Sequence, residues 1–173
     1  QAFYPGPGVG GHCIPIDPNY LSHRVRAKLK HTFRFVELAQ DINAQMPNYV
    51  VSRAAELLND HAKAVRGSTV LLLGVTYKSD IADQRESPAV DVARAFEHKG
   101  AQVSFHDPYV STWRHNGAAL TRVEDLDAAI RAADLVVLLQ AHRAYDVDAL
   151  AQEASLVFDT RGRAADAPNV ARL

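Results

Sequence analysis

The sequence predicts an α/β protein in which a long central helix is followed by a doubly wound, mostly parallel, Rossmann-like sheet. Two patterns predict it. Apolar residues recur every three or four positions between Val36 and Leu57, as on one face of a helix. After Arg66, short apolar runs alternate with helical stretches, which is typical of parallel strands buried on both faces. With 173 residues, 47% of them hydrophobic, the chain can form one domain with an appendage.

The first 18 residues predict a loop, because they hold four of the nine glycines and four of the eight prolines. Glycine allows positive φ and close approach, whereas proline fixes φ, so such a loop is held to one path. Asp17 is expected to cap a short helix that ends near Lys30, with Pro18 in its first turn.

A long helix is predicted from Thr32, its expected N-cap, over about 28 residues, with a kink or a restart at Pro47. A helix of this length exceeds the mean of about 11–12 residues and needs a partner for its second face. We therefore expect a homodimer through this helix. The predicted organisation is a cysteine loop and short helix over 1–31, the central helix over 32–66, and a sheet domain over 67–173.

Four strands are predicted at 69–74, 102–106, 135–139 and 156–159, separated by helices at 87–99, 124–132 and 147–154. Ligands of such sheets bind at the carboxyl ends of the strands. Gly74, Asp107 and Asp159 stand at these ends, with cationic side chains close behind them.

Composition argues against several classes of function. A formal net charge of −1 predicts neither a nucleic-acid partner nor an anionic membrane partner. No apolar run approaches the ~18 residues of a membrane span. The single cysteine allows no intrachain disulfide and fits a reducing, cytoplasmic setting. The chain opens within a loop and its one methionine is Met46, so a fragment of a longer protein is expected.

Two glycine signals bear on nucleotide binding. Residues 6–11 match G-x-G-x-x-G by letter, but no strand precedes them and Cys-Ile-Pro follows, so they do not predict a dinucleotide fingerprint. Gly74 stands alone after the first strand, with Lys78 just beyond it. That pair suits a single nucleoside diphosphate better than NAD.

Cys13 is a candidate nucleophile on the stiff first loop, although a lone cysteine is more often a small buried apolar residue. A papain-like hydrolase with His12 as base lacks that family's local signature. Metal binding by Cys13 with His12, His23 and His31 lacks the paired spacing of structural zinc, and no metal is expected. A non-catalytic nucleotide-binding and dimerisation module remains an alternative.

Four segments together resemble the UDP-glucose/GDP-mannose dehydrogenase family: GVGGHCIPIDP at 8–18, GVTYKSDIADQRESP at 74–88, HDPY at 106–109 and FDTR at 158–161. They follow the family order, and the first is most similar to the bacterial branch that oxidises UDP-N-acetylglucosamine and related UDP-N-acetylhexosamines. The resemblance implies a missing N-terminal NAD-binding half. It also implies that this chain alone is catalytically inert.

For chemistry, the resemblance implies oxidation of a sugar C6 alcohol to a carboxylate in two hydride transfers to NAD⁺. Cys13 matches the nucleophile that forms a thiohemiacetal and then a thioester, and Asp17 matches the carboxylate that handles water and protons. A thiolate is apt because it is both a soft nucleophile and a reasonable leaving group.

For binding, the resemblance implies that the loop before the cysteine contacts the UDP-sugar, together with two residues of the second signature. It also implies that Arg161 reaches UDP-sugar across a dimer interface and that Arg85 contacts NAD. Two positions depart from the family pattern: Ile16 replaces a common lysine and Thr160 a common glycine. The implied UDP-sugar contacts are Phe3, Tyr4, Pro5, Gly6, Gly10, Tyr77, Lys78 and Arg161.

Overall fold

Twelve helices and strands build the computed structural model, which describes residues 4–115 and 117–173. In chain order they are α1 (Asp17–Leu29), α2 (Arg34–Asp60), β1 (Thr69–Leu73), α3 (Ala89–His98), β2 (Gln102–His106), β3 (Thr112–His115), β4 (Ala118–Thr121), α4 (Leu126–Ala132), β5 (Leu135–Leu138), α5 (Val147–Glu153), β6 (Val157–Asp159) and β7 (Val170–Arg172).

Five of the strands form one parallel sheet in the order β2-β1-β5-β6-β7, which confirms the predicted fold class. Strand β7 was not predicted, since three residues reading Val-Ala-Arg do not make an apolar run. The separate antiparallel hairpin of β3 and β4 was not predicted either, because only alternate residues of β3 are buried.

Alternate strand residues face two separate hydrophobic layers. In β1, Val70 and Leu72 pack into a cluster with residues of α2 and α3, whereas Leu71 and Leu73 pack into a second cluster with residues of α4 and α5. The sheet is therefore covered on both faces, which is why its strands read as continuous apolar runs.

Helix α2 runs without interruption for 27 residues through Pro47. Of the two expectations for Pro47, the restart is absent and the kink stays a prediction. Its N-cap residue is Phe33, and the prediction that Thr32 caps it was wrong. The helix buries Val50, Val51, Ala54 and Leu58 against the sheet domain. Its first half packs less fully, and large apolar side chains there remain exposed.

Helix α1 begins at Asp17, so the prediction that Asp17 is its N-cap was wrong. The physical reason is the preceding turn, in which the carbonyl of Cys13 already accepts a bond from the Asp17 amide at 2.8 Å. Ile16 occupies the N-cap position without any side-chain cap. An ion pair between Arg26 and Glu37 ties α1 to α2.

The connections place a topological switch point at the carboxyl ends of β1 and β5, because β1 is followed by β2 on one side and pairs with β5 on the other. Gly74 follows β1 with φ +79°, and a Cβ there would lie under 3.0 Å from the backbone of Gln140. Only glycine fits this crossing. Within the described ranges, no helix has the length and apolarity needed to cross a membrane.

Candidate functional site

Two adjoining clefts open at the carboxyl edge of the sheet. One, of about 610 Å³, lies over the ends of β5, β6 and β7, and the other, of about 640 Å³, lies between the glycine-rich loop and the segment after β1. Both are lined by Tyr4, Pro5, Ser79, Gln140 and Arg161. The clefts thus lie at the edge of the sheet where the strand-end rule expects a ligand.

Seven of the residues implied to contact UDP-sugar line these clefts, although they come from three distant parts of the chain. Phe3 lies outside the described residues. The seven are Tyr4, Pro5, Gly6, Gly10, Tyr77, Lys78 and Arg161.

The glycine-rich loop packs directly on the segment that carries Tyr77. A Cβ on Gly10 would lie under 3.0 Å from the Glu86 carbonyl, and one on Gly11 would lie 2.8 Å from the Tyr77 ring. Gly11 also has φ +93°. Glycine at these two positions lets the two signature segments meet without a gap.

Helix α2 holds the same loop through polar side chains. Asn43 accepts a bond from the Val9 amide (2.7 Å) and donates one to the Val9 carbonyl (3.0 Å), and Gln40 donates to the Pro15 carbonyl (3.1 Å). The sequence analysis missed both side chains. One indication of Gln40 and Asn43 was present in the sequence: they are polar residues that precede the buried apolar residues of the same helix.

Arg161 is aimed by the turn that follows β6. The fully buried Asp159 carboxylate accepts bonds from the backbone amides of Arg161, Arg163 and Ala164. The Arg161 side chain donates from Nε to the Leu139 carbonyl at 2.7 Å, which leaves its terminal nitrogens near the clefts. Burial lowers the pKa of this guanidinium, and the Asp159 charge opposes that shift.

Thr160 replaces the family's common glycine without disturbing this turn. Its φ is not positive, and its hydroxyl donates to the Leu138 carbonyl at 2.6 Å. Gly6 supplies room on the other side, since a Cβ there would lie 2.8 Å from Nη1 of Arg161. Arg161 therefore lines the second cleft together with Tyr77 and Lys78 of its own chain.

A buried pair, Asp107 and His142, lies beneath the segment after β1. The His142 Nε2 atom is 3.0 Å from Asp107 Oδ2, and the carboxylate also accepts bonds from the amides of Val75 and Tyr109. Burial alone would raise the pKa of Asp107, but the bonds from His142, Tyr109 and Val75 outweigh it, and the pKa is lowered. His142 was not singled out from the sequence.

The implied catalytic residues lie beside the clefts rather than in their walls. The Cys13 thiol is exposed, and its neighbour Ile14 lines the second cleft. Asp17 is exposed at the start of α1.

Arg85 is also exposed and pairs with Asp83 at 2.6 Å. The Arg85 side-chain and backbone hydrogen bonds lower the pKa of Asp83 to about 2. Among the residues that the structure describes, no three His, Cys, Asp or Glu side chains come together as a metal site would require.

These features define a class: doubly wound α/β domains with a ligand cleft at the switch point, here closed on one side by a glycine- and cysteine-bearing loop. Two family models match the chain, the UDP-glucose/GDP-mannose dehydrogenase family UDP binding domain at residues 71–166 and the central domain of the same family at residues 1–45. The chain belongs to the UDP-glucose/GDP-mannose dehydrogenase family.

Similar proteins carry related names. The chain is 32% identical over 165 residues to a UDP-N-acetyl-D-mannosamine dehydrogenase of Methanococcus maripaludis, and 33% identical over 164 residues to an NDP-N-acetyl-D-galactosaminuronic acid dehydrogenase of Ralstonia nicotianae. Each match covers 91% of this chain and 36% of the relative, so the chain spans about a third of their length.

Among solved structures, the UDP-D-ManNAc dehydrogenase of Pyrococcus horikoshii superimposes with a TM-score of 0.81 at 25% identity. This match covers 99% of this chain and 40% of the other.

Proposed function

We propose that this chain supplies the UDP-sugar cleft and the cysteine nucleophile of an NAD-dependent nucleotide-sugar 6-dehydrogenase. The observation that carries the proposal is the convergence of Arg161, Lys78 and the glycine-rich loop on adjoining clefts at the switch point, in a chain of this family. The names of the relatives favour UDP-N-acetyl-D-mannosamine or a similar UDP-N-acetylhexosamine over the UDP-N-acetylglucosamine and UDP-glucose suggested by the motifs.

A diphosphate fits the charges of the clefts. Arg161 offers a planar fork that can donate two parallel bonds to phosphate oxygens, and Lys78 adds a point charge to the same cleft. The Asp159 carboxylate does not compete for Arg161, because its oxygens are occupied by backbone amides. Tyr77 and Tyr4 provide aromatic surface beside the cations.

Cys13 is the proposed nucleophile. Its thiolate adds to the C6 aldehyde of the sugar, and the new oxyanion takes a proton, giving a thiohemiacetal. Loss of the C6 hydride, with release of the hydroxyl proton, converts this to a thioester. Water then attacks the thioester carbon, the C–S bond breaks, and the carboxylate leaves with the thiolate restored. Asp17, one turn along the chain, takes the proton of the attacking water. A reduced thiol is required, which supports a cytoplasmic setting.

NAD⁺ is the proposed acceptor of both hydrides, and we propose that it is not held mainly by this chain. The turn after β1 carries one glycine rather than three, and residues 6–11 neither follow a strand nor open a helix. Arg85 alone is proposed to contact NAD from this chain. We therefore expect the chain by itself to form no NADH.

The exposed side of α2 is the proposed homodimer surface. Phe35, Leu38, Ile42 and Tyr49 are between 52% and 77% exposed and recur along one face, opposite the buried stripe. A second copy of the same helix would cover them. The substitution Ile42→Glu should shift a dimer toward monomer in sedimentation velocity. Ala119→Glu, which adds the same charge at an exposed position of β4, should not.

Titration calorimetry tests the binding half of the proposal. UDP and UDP-N-acetyl-D-mannosamine should bind the chain, NAD⁺ should not, and absorbance at 340 nm should not rise when all are mixed. UDP binding without NADH also fits the alternative of a UDP-binding and dimerisation module. A form of the protein that also carries an NAD-binding half separates the two proposals. If it is an enzyme, it should form NADH from the UDP-sugar and NAD⁺, and Cys13→Ser should abolish that reaction; a binding module should form none. Absence of UDP binding by folded protein would refute both.

A further inference from the structure

We propose that His142 is a positioning residue that holds Lys78 in its ligand-facing orientation, an inference that rests on the proposed UDP binding. His142 is 2% exposed and Asp107 fully buried, and neither lines the clefts. The pair therefore acts through the segment above it, which carries Tyr77 and Lys78.

The hydrogen bonds assign the state of the imidazole. The backbone amide of Asp80 donates to Nδ1 of His142 at 2.9 Å. A backbone amide can only donate, so Nδ1 must present its lone pair and the ring proton is on Nε2. That proton points to the Asp107 carboxylate at 3.0 Å. The ring thus joins a buried acceptor at one end to a surface amide at the other.

Three hydrogen bonds hold the segment on both sides of Lys78. Before it, the Val75 amide donates to Asp107 at 2.8 Å, and after it, the Asp80 amide donates to His142. Between them, the Thr76 hydroxyl donates to the carbonyl of Lys78 at 2.8 Å. The backbone at Lys78 is consequently fixed although its side chain is exposed.

Asp80 is the position that most needs this support. Its φ is +62°, a left-handed conformation that residues other than glycine rarely adopt. Its carboxylate is held as well, by the Arg143 amide at 2.8 Å and the Tyr109 hydroxyl at 3.4 Å. Loss of the His142 bond should therefore loosen the segment rather than release it, and the expected effect on affinity is moderate.

Two substitutions separate the ends of the imidazole. In His142→Gln, the amide nitrogen takes the place of Nε2 and keeps Asp107, but nothing accepts from the Asp80 amide. In His142→Asn, the amide oxygen takes the place of Nδ1 and keeps that bond. By titration of the 173-residue chain with UDP, H142Q should bind about three- to tenfold more weakly, and H142N should stay within about twofold of wild type.

A double-mutant cycle shows whether His142 acts through Lys78. With Lys78→Ala already present, adding H142Q should change UDP affinity less than about twofold. Asn169→Ala serves as the stability control, because Asn169 bonds the carbonyls of Ala151 and Ala154 near the opposite edge of the sheet. It should lower the melting temperature without weakening UDP binding.

The outcomes are distinct. Failure of the folded wild-type chain to bind UDP refutes the proposed function, and this inference with it. If wild type binds, three results refute the inference alone: unchanged affinity in H142Q, an equal loss in H142N, or the same loss from H142Q with and without Lys78.

Discussion

Replacement of Gly10 by alanine should release the glycine-rich loop while leaving the sheet folded. Gly10 is buried without a positive φ, so the cost is steric rather than conformational. The new methyl group would lie under 3.0 Å from the Glu86 carbonyl, 3.0 Å from Cβ of Tyr77 and 3.1 Å from Cδ of Pro88. Backbone cannot move aside as a flexible side chain can. Overpacking of this kind costs about 1–3 kcal/mol.

The free energy that attaches the loop to α2 is similar in size to this steric cost. Three hydrogen bonds, two between Val9 and Asn43 and one from Gln40 to Pro15, contribute about 1 kcal/mol each. The strain of Gly10→Ala therefore competes with loop docking and is small beside the 5–15 kcal/mol that typically stabilises a domain. We expect the loop to detach for part of the time rather than the domain to unfold.

Amide hydrogen exchange followed by NMR measures this directly. The protection factor of the Val9 amide, which donates to Asn43, should fall at least about tenfold. The protection factor of the Leu72 amide in β1 should not change. UDP affinity should fall in parallel. Gly67→Ala is the matched control, since Gly67 has φ +85° with nothing within 4 Å of a new Cβ. It should cost about 1 kcal/mol in unfolding without exposing Val9. Full protection of the Val9 amide in the Gly10→Ala variant would show that the methyl group does not displace the loop.

Three further predictions concern the supports of the site. Asn43→Ala should raise the exchange rate of the Val9 amide about as much as Gly10→Ala does. An unchanged exchange rate would contradict the attachment of the loop to α2 through Asn43. Asp159→Asn should cost about 2–4 kcal/mol in urea unfolding, because an amide group cannot accept from three backbone amides as the carboxylate does. The lowered pKa of Asp107 means that its charge stabilises the fold above the unfolded value of about 3.9 and that this contribution is lost as pH falls through the folded pKa. The difference in free energy of unfolding between wild type and Asp107→Asn should therefore become smaller below about pH 4. A difference that does not change with pH would contradict a lowered pKa of Asp107.

The sequence predicted the parts of the fold that depend on local pattern. Apolar runs marked β1, β5 and β6, and the alternating apolar residues Val103 and Phe105 marked β2. Because parallel strands end at one edge, Lys78 and Arg161 could be placed near a common ligand site. Short elements such as β7 carry too few apolar residues to be seen. The sequence also did not show which face of the first half of α2 is buried. Ile42 fits the apolar spacing of the helix, but its side chain is exposed.

Side-chain partners across long stretches of chain could not be predicted. Asn43 meets Val9 across 34 positions, and His142 meets Asp80 across 62. Neither has a local pattern that names its partner, because the meeting depends on how the loops cross the sheet edge. The same holds for Gly6, whose small size matters only because Arg161 lies against it.

Titration of the folded chain with UDP, with the Arg161→Gln variant in parallel, measures whether UDP binds in the clefts that Arg161 lines. One UDP should bind per chain. The variant should bind about ten- to a hundredfold more weakly, as expected for the loss of charged hydrogen bonds worth about 1.5–3 kcal/mol. NAD⁺ should produce no binding heat in either protein. Two results would contradict the assignment of this site: no UDP binding by the folded wild-type chain, or UDP binding by Arg161→Gln as tight as that of wild type.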